Sequence, residues 1–221
     1  GAHIDPGEYR VGDDNKKEIT IVPLTTLAKY YGVTTDYFQS YIRKVLQEFY
    51  ELNFDEKTIK KLHSLIYSKY SGNKNGGEYK TEDNLVAERN EDGSIKSIIF
   101  KPVPAKDVKS AMKDMVLAYQ LAKSDYGIPS LLLIPCVILD FLSIHPFKDG
   151  NGRVSRLLTL LLLFKEGIDI GKYISFEKMI NEYKWNYYES LEQSQKNWHN
   201  NKSDYKPFII YTFQIIYECY K

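Results

Sequence analysis

Residues 145–156 read His-Pro-Phe-Lys-Asp-Gly-Asn-Gly-Arg-Val-Ser-Arg, a polar turn with two glycines that lies between two strongly apolar runs. The run before the turn extends from Leu131 to Ile144, and the run after it extends from Leu157 to Phe164. Apolar runs of this kind, broken by a glycine-bearing turn, are typical of buried helices. The turn is therefore expected to lie on the core of a helical protein rather than in a loose surface loop.

The residues of this turn suit the binding of an anion. The helix after the turn should begin near Asn151 or Gly152, and its first N–H groups then have no intrahelical acceptor. Gly150 and Gly152 let the backbone approach a phosphate closely. Arg153 and Arg156 lie three residues apart, so they share a helix face and can offer guanidinium groups to phosphate oxygens. The turn therefore predicts a phosphate-binding site.

Two further side chains add chemistry to the turn. Asp149 is a hard oxygen ligand, and Mg²⁺ typically binds one or two carboxylates together with substrate phosphates. His145 has an ordinary pKa near 6.5, which suits the removal of a proton at neutral pH. Each residue alone is common in turns and at helix ends. Their joint occurrence on apolar helices favours a site for a nucleoside triphosphate, Mg²⁺ and an attacking hydroxyl.

The turn resembles the Fic motif, HPFx(D/E)GNGRxxR, at every fixed position. Ile134–Ile144 is similar to the helix that precedes the motif in Fic proteins. Gly77–Lys80 and Phe100–Pro104 are similar to the Fic flap, a β-hairpin over the active site, although Lys80 departs from the arginine usual at its position. The resemblance covers roughly residues 55–215. It implies an all-α Fic fold, a helical bundle with a short β-hairpin flap.

Most Fic proteins transfer AMP from ATP to a Ser, Thr or Tyr hydroxyl of a target protein, and some modify themselves. The resemblance implies that His145 deprotonates the target hydroxyl and that Asp149 holds the Mg²⁺ that bridges two phosphates. The implied phosphate ligands are an anion hole of Gly150, Asn151 and Gly152, together with Arg153 and Arg156. Phe147 would pack inward and fix the loop.

Two further sets of residues have roles only through the resemblance. A helix after the motif lines the nucleotide base in Fic proteins, which makes Tyr187, Tyr188 and Gln195 candidates, with Tyr188 assigned to ATP. Ordinary helix packing stays open for all three. The flap residues expected to bind the target are Gly77, Tyr79, Lys80, Asn84, Leu85 and Val86.

Other activities remain open at this stage. The transferred group can be UMP, GMP, phosphocholine or a phosphoryl group, although kinase-like relatives have Lys where this chain has Gly152. The chain can also be a non-catalytic module that binds a partner peptide as an added strand. Retention of every residue of the motif favours an enzyme, a protein adenylyltransferase.

Regulation by an inhibitory helix is also open. Many Fic proteins carry the motif (S/T)xxxE(G/N), whose glutamate pairs with the second arginine of the active-site motif. Here Glu166 is the one glutamate followed by Gly or Asn, and Leu162 stands at the Ser/Thr position. The inhibitory segment is therefore missing from this sequence, supplied by a partner chain, or not used at all.

Composition limits the remaining classes. A chain of 221 residues with 43% hydrophobic content can bury one core, and a net charge of +1 gives no reason to expect nucleic acid or a membrane as a partner. Two cysteines, Cys136 and Cys219, make no disulfide framework, which fits a cytoplasmic protein. The first residues, Gly-Ala-His-Ile-Asp-Pro, lack the apolar run of a signal peptide and resemble a cloning remnant.

The pattern of apolar residues divides the chain in two. Residues 1–54 are expected to form an N-terminal helical segment, with helices at Leu24–Tyr31 and Asp36–Leu52, and residues 55–221 the Fic domain. Asp55 should cap the first helix of that domain, in which His63 is expected to be structural, as is His199. Pro135 should start or kink its helix.

Further elements follow from the same pattern. Helices are predicted at residues 105–123, 130–143, 152–165, Phe176–Trp198 and Lys206–Tyr220. The first of these should turn five side chains inward: Val108, Met112, Met115, Val116 and Tyr119. A hairpin is predicted from Asn84–Arg89 and Ser94–Lys101, with Asp-Gly at its turn.

Overall fold

Helices make up most of the part of the chain that the computed structural model describes, which is residues 9–11, 17–19, 47–48, 50, 52–70, 76–90, 92, 94–168 and 173–221. The predicted helix at Leu24–Tyr31, and most of the one at Asp36–Leu52, lie outside these residues. The described helices are α1 Glu56–Tyr70, α2 Val108–Ser124, α3 Ser130–Ile144, α4 Asn151–Lys165, α5 Tyr173–Glu182, α6 Lys184–Gln195 and α7 Lys206–Cys219. Single 3₁₀ turns occupy Ala105–Asp107 and Trp198–Asn200.

Helices α3 and α4, which flank the motif, form the centre of the core. Ile134, Leu139 and Phe141 of α3 are fully buried, as are Leu158 and Leu163 of α4. Helices α2 and α7 pack on α3, and α1 packs on α4. Helices that are apolar on nearly every side must be enclosed in this way, since no face of them suits water. No helix among the described residues is long and apolar enough to cross a membrane.

Local sequence signals explain where α1 begins and which faces of α1 and α2 are buried. The Asp55 carboxylate accepts a hydrogen bond from the Thr58 N–H at 2.7 Å, so the predicted cap of α1 is confirmed. Ile59 and Leu62, one helical face, are fully buried. The five side chains predicted to face inward from α2 are all buried.

Two helices differ from the sequence prediction. The segment predicted as one helix over Phe176–Trp198 forms α5 and α6, with a break at Tyr183. No glycine or proline marks the break, which instead lets the two halves pack separately on α7. Pro135 does not start α3, which runs through it. Proline has no backbone N–H, so the helical hydrogen bond that Pro135 removes is the one to the Leu131 carbonyl.

A small sheet forms the flap. Strands β3 (Val86–Arg89) and β4 (Ile95–Phe100) pair antiparallel with irregularities in their register, which confirms the predicted hairpin. Two strands that the sequence analysis did not predict extend this sheet. Strand β1 (Tyr9–Val11) pairs parallel with β3, and strand β2 (Lys17–Ile19) pairs antiparallel with β1. The all-α fold with a hairpin flap is therefore confirmed, with a wider sheet.

Candidate active site

The motif forms the connection between the two central helices. Helix α3 ends at His145, whose backbone adopts the left-handed conformation with φ of 51° and still donates to the Phe141 carbonyl at 2.9 Å. Helix α4 begins after Gly150, which also has a positive φ, of 82°. Left-handed residues at both ends reverse the chain within a few residues, and glycine takes that conformation at little cost.

Asn151 holds the connecting loop closed. Its side-chain oxygen accepts the Phe147 N–H at 2.9 Å, and its amide donates to the Phe147 carbonyl at 2.8 Å. Both residues are buried, Asn151 at 1% exposure and Phe147 at 0%. The Asn151 side chain therefore fixes the loop, and its backbone N–H, rather than its amide, is left for an anion.

The first N–H groups of α4 face the loop without intrahelical acceptors. The first helical hydrogen bond runs from the Val154 N–H to the Gly150 carbonyl at 2.9 Å, so the N–H groups of Asn151, Gly152 and Arg153 precede it. Partial positive charge collects at such an end, which suits phosphate oxygens. The predicted anion site falls on these N–H groups, and anion binding there stays a prediction.

The orientation of His145 suits its predicted role as a base. Its Nδ1 lies 3.2 Å from the Leu142 carbonyl. A carbonyl can only accept, so Nδ1 carries the ring proton and Nε2 keeps the lone pair. Burial lowers the pKa of His145 to about 4, against a smaller opposing effect of the bond to Leu142, and the nearby charge of Lys80 lowers it further. The ring is therefore neutral at pH 7 and able to accept a proton at Nε2.

Asp149 pairs with Arg153 one turn along α4. The Arg153 guanidinium donates to Oδ2 of Asp149 at 3.0 Å, and the Gly150 N–H contacts Oδ1. Among the described residues no group of three or more His, Cys, Asp or Glu side chains could hold a metal ion. One partly exposed carboxylate fits Mg²⁺ only if phosphates complete its coordination, which is a usual arrangement for this ion.

The flap is attached to the motif at its base. The Lys80 N–H donates to the Pro146 carbonyl at 2.9 Å, and the Asn84 amide donates to the Phe147 carbonyl at 3.2 Å. The Lys80 ammonium reaches Oδ1 of Asn84 at 2.7 Å, and burial lowers the pKa of Lys80 to about 8. Lys80 is only 6% exposed, so the residue that departs from the usual arginine serves this attachment.

The other flap candidates divide into two groups. Gly77 is buried, and the Tyr79 hydroxyl donates to Glu56 at 2.8 Å while its ring packs near Phe147. Burial, followed by the contact with Glu56, raises the pKa of Tyr79. Leu85 and Val86 instead line the open side of the flap, with Leu85 exposed. Contact with a target remains a prediction for all of these residues.

A cleft of about 480 Å³ separates the flap from the motif. Its volume lies within the roughly 300–1,000 Å³ typical of small-molecule sites. Its walls bring together residues from both sides: Lys80, Thr81, Glu82, Asp83, Asn84, Leu85, Val86, Ala87, Ile95, His145, Lys148, Gly150, Asn151 and Gly152. The predicted base and the predicted anion site therefore open into one space.

Two predicted nucleotide ligands, Arg156 and Tyr188, are not among the residues that line this cleft. Arg156 is buried beside a separate, mostly apolar cavity of about 20 Å³ that Tyr187 also lines. Its Nη1 lies 3.4 Å from the point where a Cβ at Gly152 would stand, so the arginine folds back toward the motif. Tyr188 packs edge-on against Tyr187, with ring centroids 5.0 Å apart. Their contacts with a nucleotide remain predictions.

The other candidates are placed in ordinary packing. The Gln195 amide is buried and donates to the Ser143 hydroxyl at 3.2 Å. Glu166, the one glutamate followed by glycine, pairs with Lys123 at the end of α4 opposite the motif. His199 stacks on Phe100 of the flap and contacts the Lys101 carbonyl at 2.7 Å, as expected of a structural residue.

His63 was interpreted from the sequence only as a structural residue, yet it contacts the motif directly. Its ring lies flat on Phe147, with centroids 3.8 Å apart and an interplanar angle of 4°. Its Nε2 lies 3.0 Å from the Asp149 carbonyl. Burial lowers the pKa of His63. Its position beside Leu62 on an amphipathic helix gave no sign of this contact, because Asp149 is 86 residues away.

Comparison with known proteins agrees with this geometry. A family model described as the Fic/DOC family matches residues 53–163, which is half of the chain. The chain belongs to the Fic/DOC family. Fic domain proteins are generally transferases, and a Fic-type function follows for this chain. A Fido domain-containing protein of Dictyostelium discoideum is 63% identical over 27 residues, which are 12% of this chain and 19% of that protein.

Solved structures of other Fic proteins share the fold. A Fic domain-containing signaling protein from Bacteroides thetaiotaomicron superposes with a TM-score of 0.64 at 24% identity, covering 89% of this chain and 76% of its own. A Fic family protein from Desulfovibrio desulfuricans gives 0.61 at 20% identity, covering 89% and 57%. Fic-1 from C. elegans gives 0.56 at 18% identity, covering 82% and 48%. The chain thus spans less than two thirds of the last two.

Proposed function

We propose that this Fic protein is an adenylyltransferase that moves AMP from ATP to a Ser, Thr or Tyr hydroxyl of a target protein, with some automodification. The observation that carries the proposal is His145, with its proton on Nδ1, in the wall of the same cleft as Asn151 and Gly152 at the N-terminus of α4. A base beside an anion site is what transfer of a phosphate-linked group to a hydroxyl requires.

The residues divide the work of this reaction. His145 takes the hydroxyl proton at Nε2, and the N–H groups of Asn151 and Gly152 hold phosphate oxygens. Asp149 is the residue to hold Mg²⁺, which would supply charge neutralisation between two phosphates when bound. Arg153 is paired with Asp149, so its guanidinium can bind the same phosphates as the metal ion that Asp149 would hold. Phosphoryl-type transfer depends mainly on such positioning and charge.

The target is proposed to be a protein segment that binds along the flap. Leu85 and Val86 line the cleft opposite the motif, where an extended segment would bring its hydroxyl toward His145. A cytoplasmic setting for the reaction is proposed because Cys136 and Cys219 are free thiols.

Intact-mass spectrometry after incubation with ATP and Mg²⁺ tests the proposal on the purified chain. A mass increase of one adenylyl group, absent in His145→Asn, is expected. Parallel incubations with UTP, GTP and CDP-choline identify the donor. Modification by one of these donors in place of ATP would replace the adenylyl assignment, and no modification of the chain or of lysate proteins by any donor would refute a transferase.

A further inference from the structure

His63 connects three parts of the molecule that the reaction needs together. It lies in α1 and is 3% exposed. The Gly77 N–H, at the base of the flap, donates to its Nδ1 at 2.8 Å. Its Nε2 lies 3.0 Å from the Asp149 carbonyl in the motif. One buried side chain therefore contacts the flap with one nitrogen and the active-site loop with the other.

The two contacts fix the state of the ring. A backbone N–H can only donate, so Nδ1 must be unprotonated, and a carbonyl can only accept, so the ring proton must be on Nε2. Both nitrogens are used, and the ring face is also used because it stacks on Phe147 at 3.8 Å. His63 thus holds the loop at both ends, at Phe147 through its face and at Asp149 through its edge.

The position of the Asp149 carbonyl affects two parts of the proposed site. The same residue carries the carboxylate proposed for Mg²⁺, and it directly precedes Gly150, the residue before the N-terminus of α4. Rotation of the peptide that joins Asp149 to Gly150 would move the carboxylate and the anion site together. Asn151 holds the Phe147 end of the loop through hydrogen bonds, and His63 holds the backbone carbonyl of Asp149 at the other end.

We propose that His63 is a positioning residue for group transfer, whose Nε2–H bond to the Asp149 carbonyl sets the metal carboxylate and the anion site relative to His145. The proposal rests on the proposed function, since it assigns a purpose to the position of Asp149. Contacts that orient metal ligands typically account for roughly 10–100-fold in metal affinity or activity.

Three substitutions separate this role from simple packing. His63→Phe keeps the ring on Phe147 and removes both hydrogen bonds. His63→Asn places an amide near Nδ1 and can keep the bond to Gly77. His63→Gln places an amide near Nε2 and can keep the bond to Asp149. If the bond to Asp149 is the important one, His63→Gln should keep the transfer rate near that of wild type. His63→Asn and His63→Phe should then both lower it.

The measurement is the transfer rate of each variant as a function of Mg²⁺ concentration, beside its melting temperature. His63→Phe and His63→Asn are expected to need roughly 10–100-fold more Mg²⁺, with His63→Gln close to wild type. Losses that follow the melting temperature alone, or equal losses in Gln and Phe, would overturn the proposal. Should His63→Phe fail to fold, Gln against Asn gives the same comparison.

A second readout separates this proposal from the proposed function. Amide hydrogen exchange of residues 147–153 needs no activity. Faster exchange there in His63→Asn than in His63→Gln is expected, even if the wild-type chain transfers nothing and the adenylyltransferase assignment fails. Equal exchange in these two variants would overturn the positioning role, whatever the activity of the wild type.

Discussion

The Arg153 guanidinium donates to the Asp149 carboxylate at 3.0 Å, across one turn of α4. The carboxylate proposed for Mg²⁺ is therefore paired with a cation from the same chain. Mg²⁺ alone would have to compete with this cation, whereas ATP offers Arg153 phosphate oxygens in exchange and adds ligands to the metal. Binding of Mg²⁺ and of ATP should thus each strengthen the other.

Calorimetry measures this coupling. Mg²⁺ without nucleotide is expected to give no detectable binding at low millimolar concentration, while the Mg²⁺ complex of ATP binds measurably. Asp149→Asn should abolish Mg²⁺-dependent transfer while part of the ATP binding persists through Arg153 and the N-terminus of α4. Tight binding of Mg²⁺ alone, or equal transfer rates in EDTA and in Mg²⁺, would show that Asp149 is not the metal ligand.

Removal of the base should abolish transfer while the fold is kept. Position 145 has a left-handed backbone, which asparagine tolerates better than most residues. His145→Asn is therefore a gentler test than His145→Ala. Transfer is expected to fall by roughly 10²–10⁴-fold, with an unchanged melting temperature and unchanged ATP binding. A variant that retains wild-type transfer would remove His145 from the reaction.

The rate should keep its neutral-pH value well into the acid range. The pKa of His145 is lowered to about 4, so the base stays unprotonated down to about pH 5. The acid limb of kcat/KM, which reports the free enzyme, is expected near that value rather than near the ordinary pKa of about 6.5. An acid limb at pH 6.5 would contradict a histidine whose pKa is lowered by its surroundings.

The free energy of unfolding should fall as the pH is lowered, because the pKa of His145 is lower in the folded chain than in the unfolded one. The folded pKa of His145 lies below the unfolded one, so as the pH falls below about 6.5 the unfolded chain takes up the proton first. The stability that the neutral His145 ring contributes is complete above about pH 6.5 and is lost as the pH falls toward about 4. Urea midpoints at pH 7 and pH 5 should differ less in His145→Asn than in wild type. An equal difference would assign the loss to other groups, among them His63, whose pKa is also lowered.

Asn151 should matter for both stability and rate. Asn151→Ala leaves the buried N–H and carbonyl of Phe147 without their side-chain partner, which is expected to lower the free energy of unfolding by about 1–3 kcal/mol. The displaced loop should slow transfer by roughly a hundredfold. Lys148→Ala, at an exposed position in the same loop, is the control and should change stability by less than about 0.5 kcal/mol. Equal effects of the two would mean that the Asn151 bonds do not hold the loop.

The motif could be located from the sequence because its structure is local. The apolar runs fix the two helices, and the glycine-bearing turn between them places His145 and the first N–H groups of α4 within a few residues of each other. The fold class was implied by the resemblance to the Fic motif, and the periodicity predicted the individual helices. The backbone N–H groups at Gly150, Asn151 and Gly152 needed no long-range information to be assigned to a predicted anion site.

The parts that sequence could not supply depend on contacts between distant residues. His63 meets Asp149 across 86 residues and has no local signature beyond helical spacing. The break at Tyr183 follows from how two helices pack on α7, and strand β1 follows from the edge that β3 offers it. The burial of Arg156 beside the apolar cavity also depends on residues of helices α5–α7, which lie outside the motif.

The most direct test of the central claim compares ATP labelled at the α-phosphate with ATP labelled at the γ-phosphate. The chain is incubated with each donor, Mg²⁺ and a cell lysate, and protein-bound label is measured for wild type and for His145→Asn. Adenylyl transfer predicts that the wild-type chain adds label, above that of a lysate incubated without the chain, from the α-labelled donor only. Added label from the γ-phosphate, equal labelling by His145→Asn, or no added label from either donor would contradict the account.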